Sequence, residues 1–109
     1  MVERTLLLVD DNAAFVDNLA EIFEAEGYEV RRAGTCAEAR KQTRFDVALV
    51  DVMLPDGDGF AVAEQLTTAV VLTSTHELDD LRTRLDRSRA RGFIPKDDLS
   101  AEAVVALLA

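Results

Sequence analysis

Three carboxylates stand where two apolar runs end. Leu6-Leu7-Leu8-Val9 runs into Asp10-Asp11, and Val47-Ala48-Leu49-Val50 runs into Asp51. If both runs are strands of one parallel sheet, their C-terminal ends share an edge and the acids meet there. Like charges so placed repel one another unless a cation joins them. A few hard oxygen ligands around a partly hydrated site suit Mg²⁺ better than a soft metal. A single acid at a loop end is ordinarily just solvated. It is the pairing on two strand ends that singles these three out.

Two further groups extend the chemistry. Thr73-Ser74 follows Val70-Val71-Leu72, and Lys96 follows Phe93-Ile94-Pro95. A carboxylate surrounded by a divalent cation, an ammonium and a hydroxyl has what an aspartyl-phosphate needs. The carboxylate attacks phosphorus, the cation and Lys96 offset the phosphoryl charge, and the hydroxyl bonds a phosphoryl oxygen. Thr73 and Ser74 both qualify as that hydroxyl.

The elements that must position these groups are legible as alternating patterns. Strands are expected at Thr5–Val9, Tyr28–Arg32, Val47–Val50, Ala69–Thr73 and Phe93–Pro95, with helices between them. The first helix, about Ala13–Glu26, carries Phe15, Leu19, Ile22 and Phe23 as an amphipathic stripe, and Gly27 stops it. The second starts at Thr35 with a Thr35-x-x-Glu38 capping box. The third follows Asp58-Gly59 and offers Phe60, Val62, Ala63 and Leu66. The fourth presents Leu78, Leu81 and Leu85, and a short apolar fifth begins at Ser100.

Such alternation indicates an α/β domain, a doubly wound five-stranded parallel sheet with helices on both faces. In the strand order 2-1-3-4-5, the first and third strands are neighbours at the switch point where ligands bind. The return from the third helix is thin. About nine helical residues span about 13 Å, so either this helix is truncated or a loop is missing near residues 66–69.

The totals bound the partners. The chain has 109 residues, enough for one domain (1–109) and one core, and is 49% hydrophobic and 30% charged. With 21 acidic and 12 basic residues, its net charge of −9 gives no general attraction to nucleic acid or anionic lipid. No apolar stretch approaches a membrane span and no signal-peptide layout opens the chain, so a cytoplasmic protein is expected. Cys36 is the sole cysteine, which excludes an internal disulfide and suits an inert packed thiol better than a redox group.

On these residues the chain resembles the receiver domains of two-component response regulators over essentially its whole length. The resemblance rests on Asp10-Asp11, on Asp51 followed by Met53-Leu54-Pro55 and Asp58-Gly59, on Thr73-Ser74, and on Gly92-Phe93 before Lys96. It implies a flavodoxin-like fold and a phosphorelay role. Asp51 would accept a phosphoryl group from a histidine kinase. Asp11 would bind Mg²⁺ directly, Asp10 largely through water, and the Met53 carbonyl would add a ligand. Lys96 would pair with the phosphoryl group. Thr73 (or Ser74, since the spacing to Lys96 is one residue longer than usual) would move toward it, and Phe93 would turn inward behind. The fourth helix, fifth strand and fifth helix would form the output face, with a homodimer on phosphorylation or an output domain as its partner. Proline usually follows the lysine; here Pro95 precedes it and Asp97 follows.

Other signals weigh less. His76, the only histidine, reads as a solvated loop residue beside the pocket. Arg82, Arg84, Arg87, Arg89 and Arg91 read as a solvated face or as a docking surface; no helix-turn-helix accompanies them. Asp56-Gly57-Asp58-Gly59 lacks the spaced ligands and distal Glu of a calcium loop. Two rivals remain: a receiver fold that signals by contacts without phosphorylation, and a small phosphatase with an aspartyl nucleophile. The haloacid-dehalogenase kind of phosphatase needs an acid two residues after the nucleophile, where this chain has Met53.

Overall fold

Five parallel strands form the sheet expected, in the order β2-β1-β3-β4-β5: β1 (Thr5–Val9), β2 (Glu29–Ala33), β3 (Val47–Asp51), β4 (Ala69–Ser74) and β5 (Gly92–Pro95). This computed structural model describes residues 4–66, 68–75 and 78–108, and of residues 78–81 and 108 only the backbone. The helices are α1 (Ala13–Ala25), α2 (Cys36–Arg40), α3 (Gly59–Gln65), α4 (Leu78–Asp86) and α5 (Ala101–Leu108). Among the described residues no helix is long and apolar enough to cross a membrane.

The central strands are buried on both faces, which is why they read as unbroken apolar runs. Leu7, Val9, Ala48, Val50, Val70 and Leu72 form one core layer with residues of α2 and α3. Leu6, Leu8, Val47, Leu49, Val71 and Ile94 form the other, with residues of α1 and α5. The edge strand β2 exposes Glu29, Arg31 and Arg32, charges that discourage pairing with another chain. Pro95 ends the opposite edge strand, where a missing N–H is tolerated.

Several local expectations shift. The buried stripe of α1 is Val16, Leu19, Ala20 and Phe23, while Ile22 is exposed and Phe15 half-buried. The i, i+3, i+4, i+7 spacing of 16, 19, 20 and 23 makes one narrower face, and Phe15 lies at its margin. Strand β2 begins at Glu29 rather than Tyr28, because the Tyr28 N–H still donates to the Phe23 carbonyl at 3.1 Å and the Glu29 N–H is the first to reach across, to the Arg4 carbonyl at 2.9 Å. Gly27, at φ +97°, ends α1 as expected. Thr35 accepts from the Glu38 N–H at 3.1 Å, and Glu38 reaches back to the Gly34 N–H. Helix α3 is indeed short, at seven residues. Residue 67 in the connection that follows lies outside the described residues, as does His76; so do the side chains of Leu78 and Leu81.

Between β3 and α3 the chain makes a hairpin ribbon, Met53–Leu54 against Gly57–Asp58, that no sequence pattern announced. Its acids are structural. Asp56 accepts from the backbone N–H groups of Cys36 (2.7 Å) and Ala37 (3.1 Å) at the start of α2. Asp58 N-caps α3 through the Phe60 N–H at 2.7 Å, and its other oxygen pairs with Arg84. The bonds from Cys36 and then Ala37 hold the Asp56 carboxyl below the usual carboxylate value. A depressed pKa contributes stability above the unfolded value that is lost as pH falls through the folded one. Asp56→Ala is therefore expected to melt below wild type at neutral pH. The two melting curves should converge as pH drops below 3.8, the ordinary value for this group. A constant gap across that range would refute it.

Candidate functional site: an acid cluster at the sheet edge

Register decides which side chains share the edge. Val9 pairs with Val50, so Asp10 and Asp51, each one residue on, end level. Asp51 pairs with Thr73, and Thr73 with Ile94. Side chains alternate along a strand. Asp51 and Thr73 therefore share the face of Leu49, Val71 and Ile94, whereas Ser74 belongs to the opposite face with Leu72.

One carboxylate oxygen from each of Asp10, Asp11 and Asp51 lies within 4.8 Å of the other two. Asp10 and Asp51 are buried and Asp11 is exposed, so the cluster is open on one side. Lys96 Nζ approaches Asp10 Oδ2 at 2.8 Å and Asp51 Oδ2 at 3.1 Å. Asp51 Oδ1 accepts the Met53 N–H at 3.1 Å, and Asp10 Oδ1 accepts the Asn12 N–H at 2.9 Å. Asp10 Oδ2 is buried and makes no well-directed hydrogen bond, so its contact with Lys96 is an ion pair alone.

These surroundings set the charges. Burial raises the Asp51 carboxyl above the usual range; the Met53 N–H pulls the other way, the Asp10 charge adds to the rise, and Lys96 offsets part of it. Burial would depress the Lys96 ammonium, but its close contacts with the Asp10 and Asp51 carboxylates outweigh that and hold it above its ordinary value. Three oxygen donors, one buried oxygen without a directed partner and an open side fit a hard divalent cation.

Lys96 reaches the cluster without a following proline. It opens a short 3₁₀ turn, Lys96–Asp98, directly after β5, and its ammonium lies at the two buried acids. Thr73 is buried, and its hydroxyl donates to the Ile94 carbonyl at 2.6 Å. Ser74 is buried too. Phe93 is half-buried and packs against the core layer of α2 and α3. Met53 exposes its side chain.

The structure thus brings Asp10, Asp11, Asp51 and Lys96 together, with Thr73 on their face and Ser74 off it. Two neighbours were not singled out for this role by sequence. Phe15 lies with its ring centroid 4.4 Å from Lys96 Nζ, and Arg84 joins α4 to the loop after Asp51 by stacking on Phe60 and pairing with Asp58. Cys36 is fully buried, and its thiol is raised by that burial and then by Asp56, as suits a packing residue.

Comparison with known proteins gives the same picture. The family model of the response regulator receiver domain matches residues 6–108. A response regulator receiver protein of Anaeromyxobacter sp. (strain Fw109-5) is 34% identical over 85% of this chain and 42% of its own length. The sensor protein TorS of Escherichia coli (strain K12) is 32% identical over 84% of this chain and 11% of its own. The chain therefore spans less than half the length of these relatives. Among solved structures, the non-phosphorylated HemR receiver domain from Leptospira biflexa superposes with a TM-score of 0.81 at 29% identity, covering 97% of this chain and 91% of that one. A CheY-like receiver domain protein from Methanospirillum hungatei JF-1 gives 0.80 at 27% identity, over 98% and 91%. With the fold, the register and the family model in agreement, the chain belongs to the response regulator receiver domain family of two-component systems.

Proposed function

We propose that Asp51 is the phosphoacceptor of this receiver domain, taking a phosphoryl group from a histidine kinase in a Mg²⁺-dependent reaction. The observation that carries this is the Lys96 ammonium held 2.8 and 3.1 Å from two buried acids of a three-carboxylate cluster. An Asp51 oxygen forms the bond to phosphorus while the bond from phosphorus to the donor atom breaks. Lys96, already at Asp51 Oδ2, meets the incoming phosphoryl oxygens. Asp10, Asp11, Asp51 and the Met53 carbonyl would hold Mg²⁺, which supplies positive charge against those oxygens.

Thr73 is the switch hydroxyl favoured by register, since Ser74 belongs to the other face. To donate to the phosphoryl group, Thr73 must give up the Ile94 carbonyl. That exchange, with Phe93 moving inward behind it, shifts a two-state equilibrium on the face of α4, β5 and α5 that controls an output. The domain catalyses only its own phosphorylation and dephosphorylation. A cytoplasmic setting and a phosphorylation-dependent homodimer go with this reading. Nucleic acid is not a direct partner of this segment, whose net charge is −9.

The test is acetyl phosphate with Mg²⁺, read by mass spectrometry. A gain of about 80 Da, one phosphoryl group on an aspartyl oxygen, is expected with Mg²⁺ and not with a chelator. Absence of the gain, with no response to beryllofluoride, would instead favour a receiver that signals by contacts alone. Mg²⁺ at about ten times its Kd should also stabilise the fold by about 1.4 kcal/mol. An unchanged melting temperature would count against the metal site.

A further inference from the structure

We infer that Phe15 is a positioning residue for Lys96, a neutral anchor that keeps the ammonium at Asp51 when the acids are shared with a cation. The inference rests on the phosphoacceptor reading above and deepens it. Among the described residues, the Lys96 ammonium meets Asp10 Oδ2, Asp51 Oδ2 and the face of the Phe15 ring, 4.4 Å from Nζ to the centroid. The Lys96 side chain is only 13% exposed, and a cation over an aromatic face is held more strongly when water is excluded.

The ring is tied to the acid cluster through the backbone. Asn12 donates its N–H to Asp10 Oδ1 at 2.9 Å, and its side chain accepts the Phe15 N–H at 3.1 Å. Asp10, Asn12 and Phe15 are thus linked one to the next at the start of α1. Val16 and Leu19, buried beside Phe15, fix that turn of the helix against the sheet. Lys96 needs such a fixed neighbour. Its four-carbon stem is flexible, and the 3₁₀ turn it opens has no side-chain cap.

The two carboxylates that hold Lys96 are also two of the three that would hold the metal. When their charge is shared with a cation, their pull on the ammonium falls, and the cation itself repels it. Phe15 is different. Its ring carries no net charge, offers nothing to a hard cation in that donor set, and keeps its attraction for the ammonium. A leucine at this position would fill similar space without the negative ring face.

Phe15→Leu and Phe15→Trp in the same chain test this in two ways. The first reads the initial rate of adduct formation with acetyl phosphate at saturating Mg²⁺. Phe15→Leu should be about five- to tenfold slower, the effect expected for a shielded cation–aromatic contact, and Phe15→Trp should restore most of the rate. The second reads the Lys96 ε-methylene protons by NMR. In the wild type and in Phe15→Trp they should be shifted upfield by the ring and stay so when Mg²⁺ is added; in Phe15→Leu the shift should be absent. Wild-type rates for Phe15→Leu, a tryptophan variant no faster than the leucine one, or an upfield shift that vanishes with Mg²⁺ would each overturn the inference. If the wild type itself takes up no phosphoryl group, the phosphoacceptor reading fails, and the Lys96 signal alone then decides whether Phe15 fixes the ammonium.

Discussion

Asp51→Asn is expected to take up no phosphoryl group and, in metal-free buffer at neutral pH, to melt above the wild type. Both halves follow from where the carboxylate sits. It is 6% exposed, and burial first, with the Asp10 charge adding, raises its pKa; the Met53 N–H and Lys96 offset only part. For an acid raised in the fold, the native state binds the proton more tightly than the unfolded chain does. Ionisation then costs no stability below the unfolded pKa, and the cost is complete above the folded one.

At neutral pH the wild type bears that cost and the asparagine does not. The amide oxygen can still accept the Met53 N–H, and Lys96 keeps Asp10 at 2.8 Å. The sign is what the shift predicts, and in a domain this small each 1 kcal/mol recovered raises the midpoint by about 4–8 °C. Added Mg²⁺ should narrow the gap, because it stabilises the variant less than the wild type. Calorimetry with and without Mg²⁺, alongside mass spectrometry, reads all of this. A variant that still gains the adduct would remove Asp51 from the role, and one that melts lower would show that the buried carboxylate does not cost the fold stability.

Gly59→Ala should be the most damaging single methyl in the domain's active edge. A Cβ there would lie 2.1 Å from the Asp51 carbonyl oxygen and 2.9 Å from the Val52 Cα. These are backbone atoms of the strand end that presents the carboxylate, and Gly59 also donates its N–H to the Val52 carbonyl at 2.8 Å. Nothing in that contact can swing aside. The cost is expected at about 3 kcal/mol, read as a lower denaturation midpoint, with slower phosphoryl uptake in the fraction that folds. Gly34→Ala is the matched control. Its nearest new neighbour, the Asp10 carbonyl oxygen, lies 4.0 Å away, so its midpoint should stay within about 0.5 kcal/mol of wild type. Equal effects from the two alanines would show that the close approach at Gly59 is not what the loop depends on.

The acid cluster was readable because each of its parts is announced locally. Apolar runs ending in Asp10-Asp11 and Asp51, a cap at Thr35 and a stop at Gly27 depend on neighbours a few residues away. Strand alternation then implies a parallel sheet whose edge gathers the acids. Choosing between Thr73 and Ser74 needed more. Residues 70–74 of β4 are all buried, so the sequence has no polar–apolar alternation there to reveal which side chain faces which layer. The pairing of Asp51 with Thr73 supplies that information.

The other late arrivals share that character. Asp56 caps a helix twenty positions away, Arg84 closes on Asp58 and Phe60 from another helix, and Phe15 leaves the expected core stripe to meet Lys96 from the far end of the chain. Local patterns in the chain prescribe its strands, its caps and the acids at one edge, because short-range propensity and hydrophobic burial dictate them. Which hydroxyl faces Asp51, which ring steadies Lys96 and which glycine lies against the Asp51 backbone follow from register and packing between distant segments, which come into being only when the sheet and its helices close together.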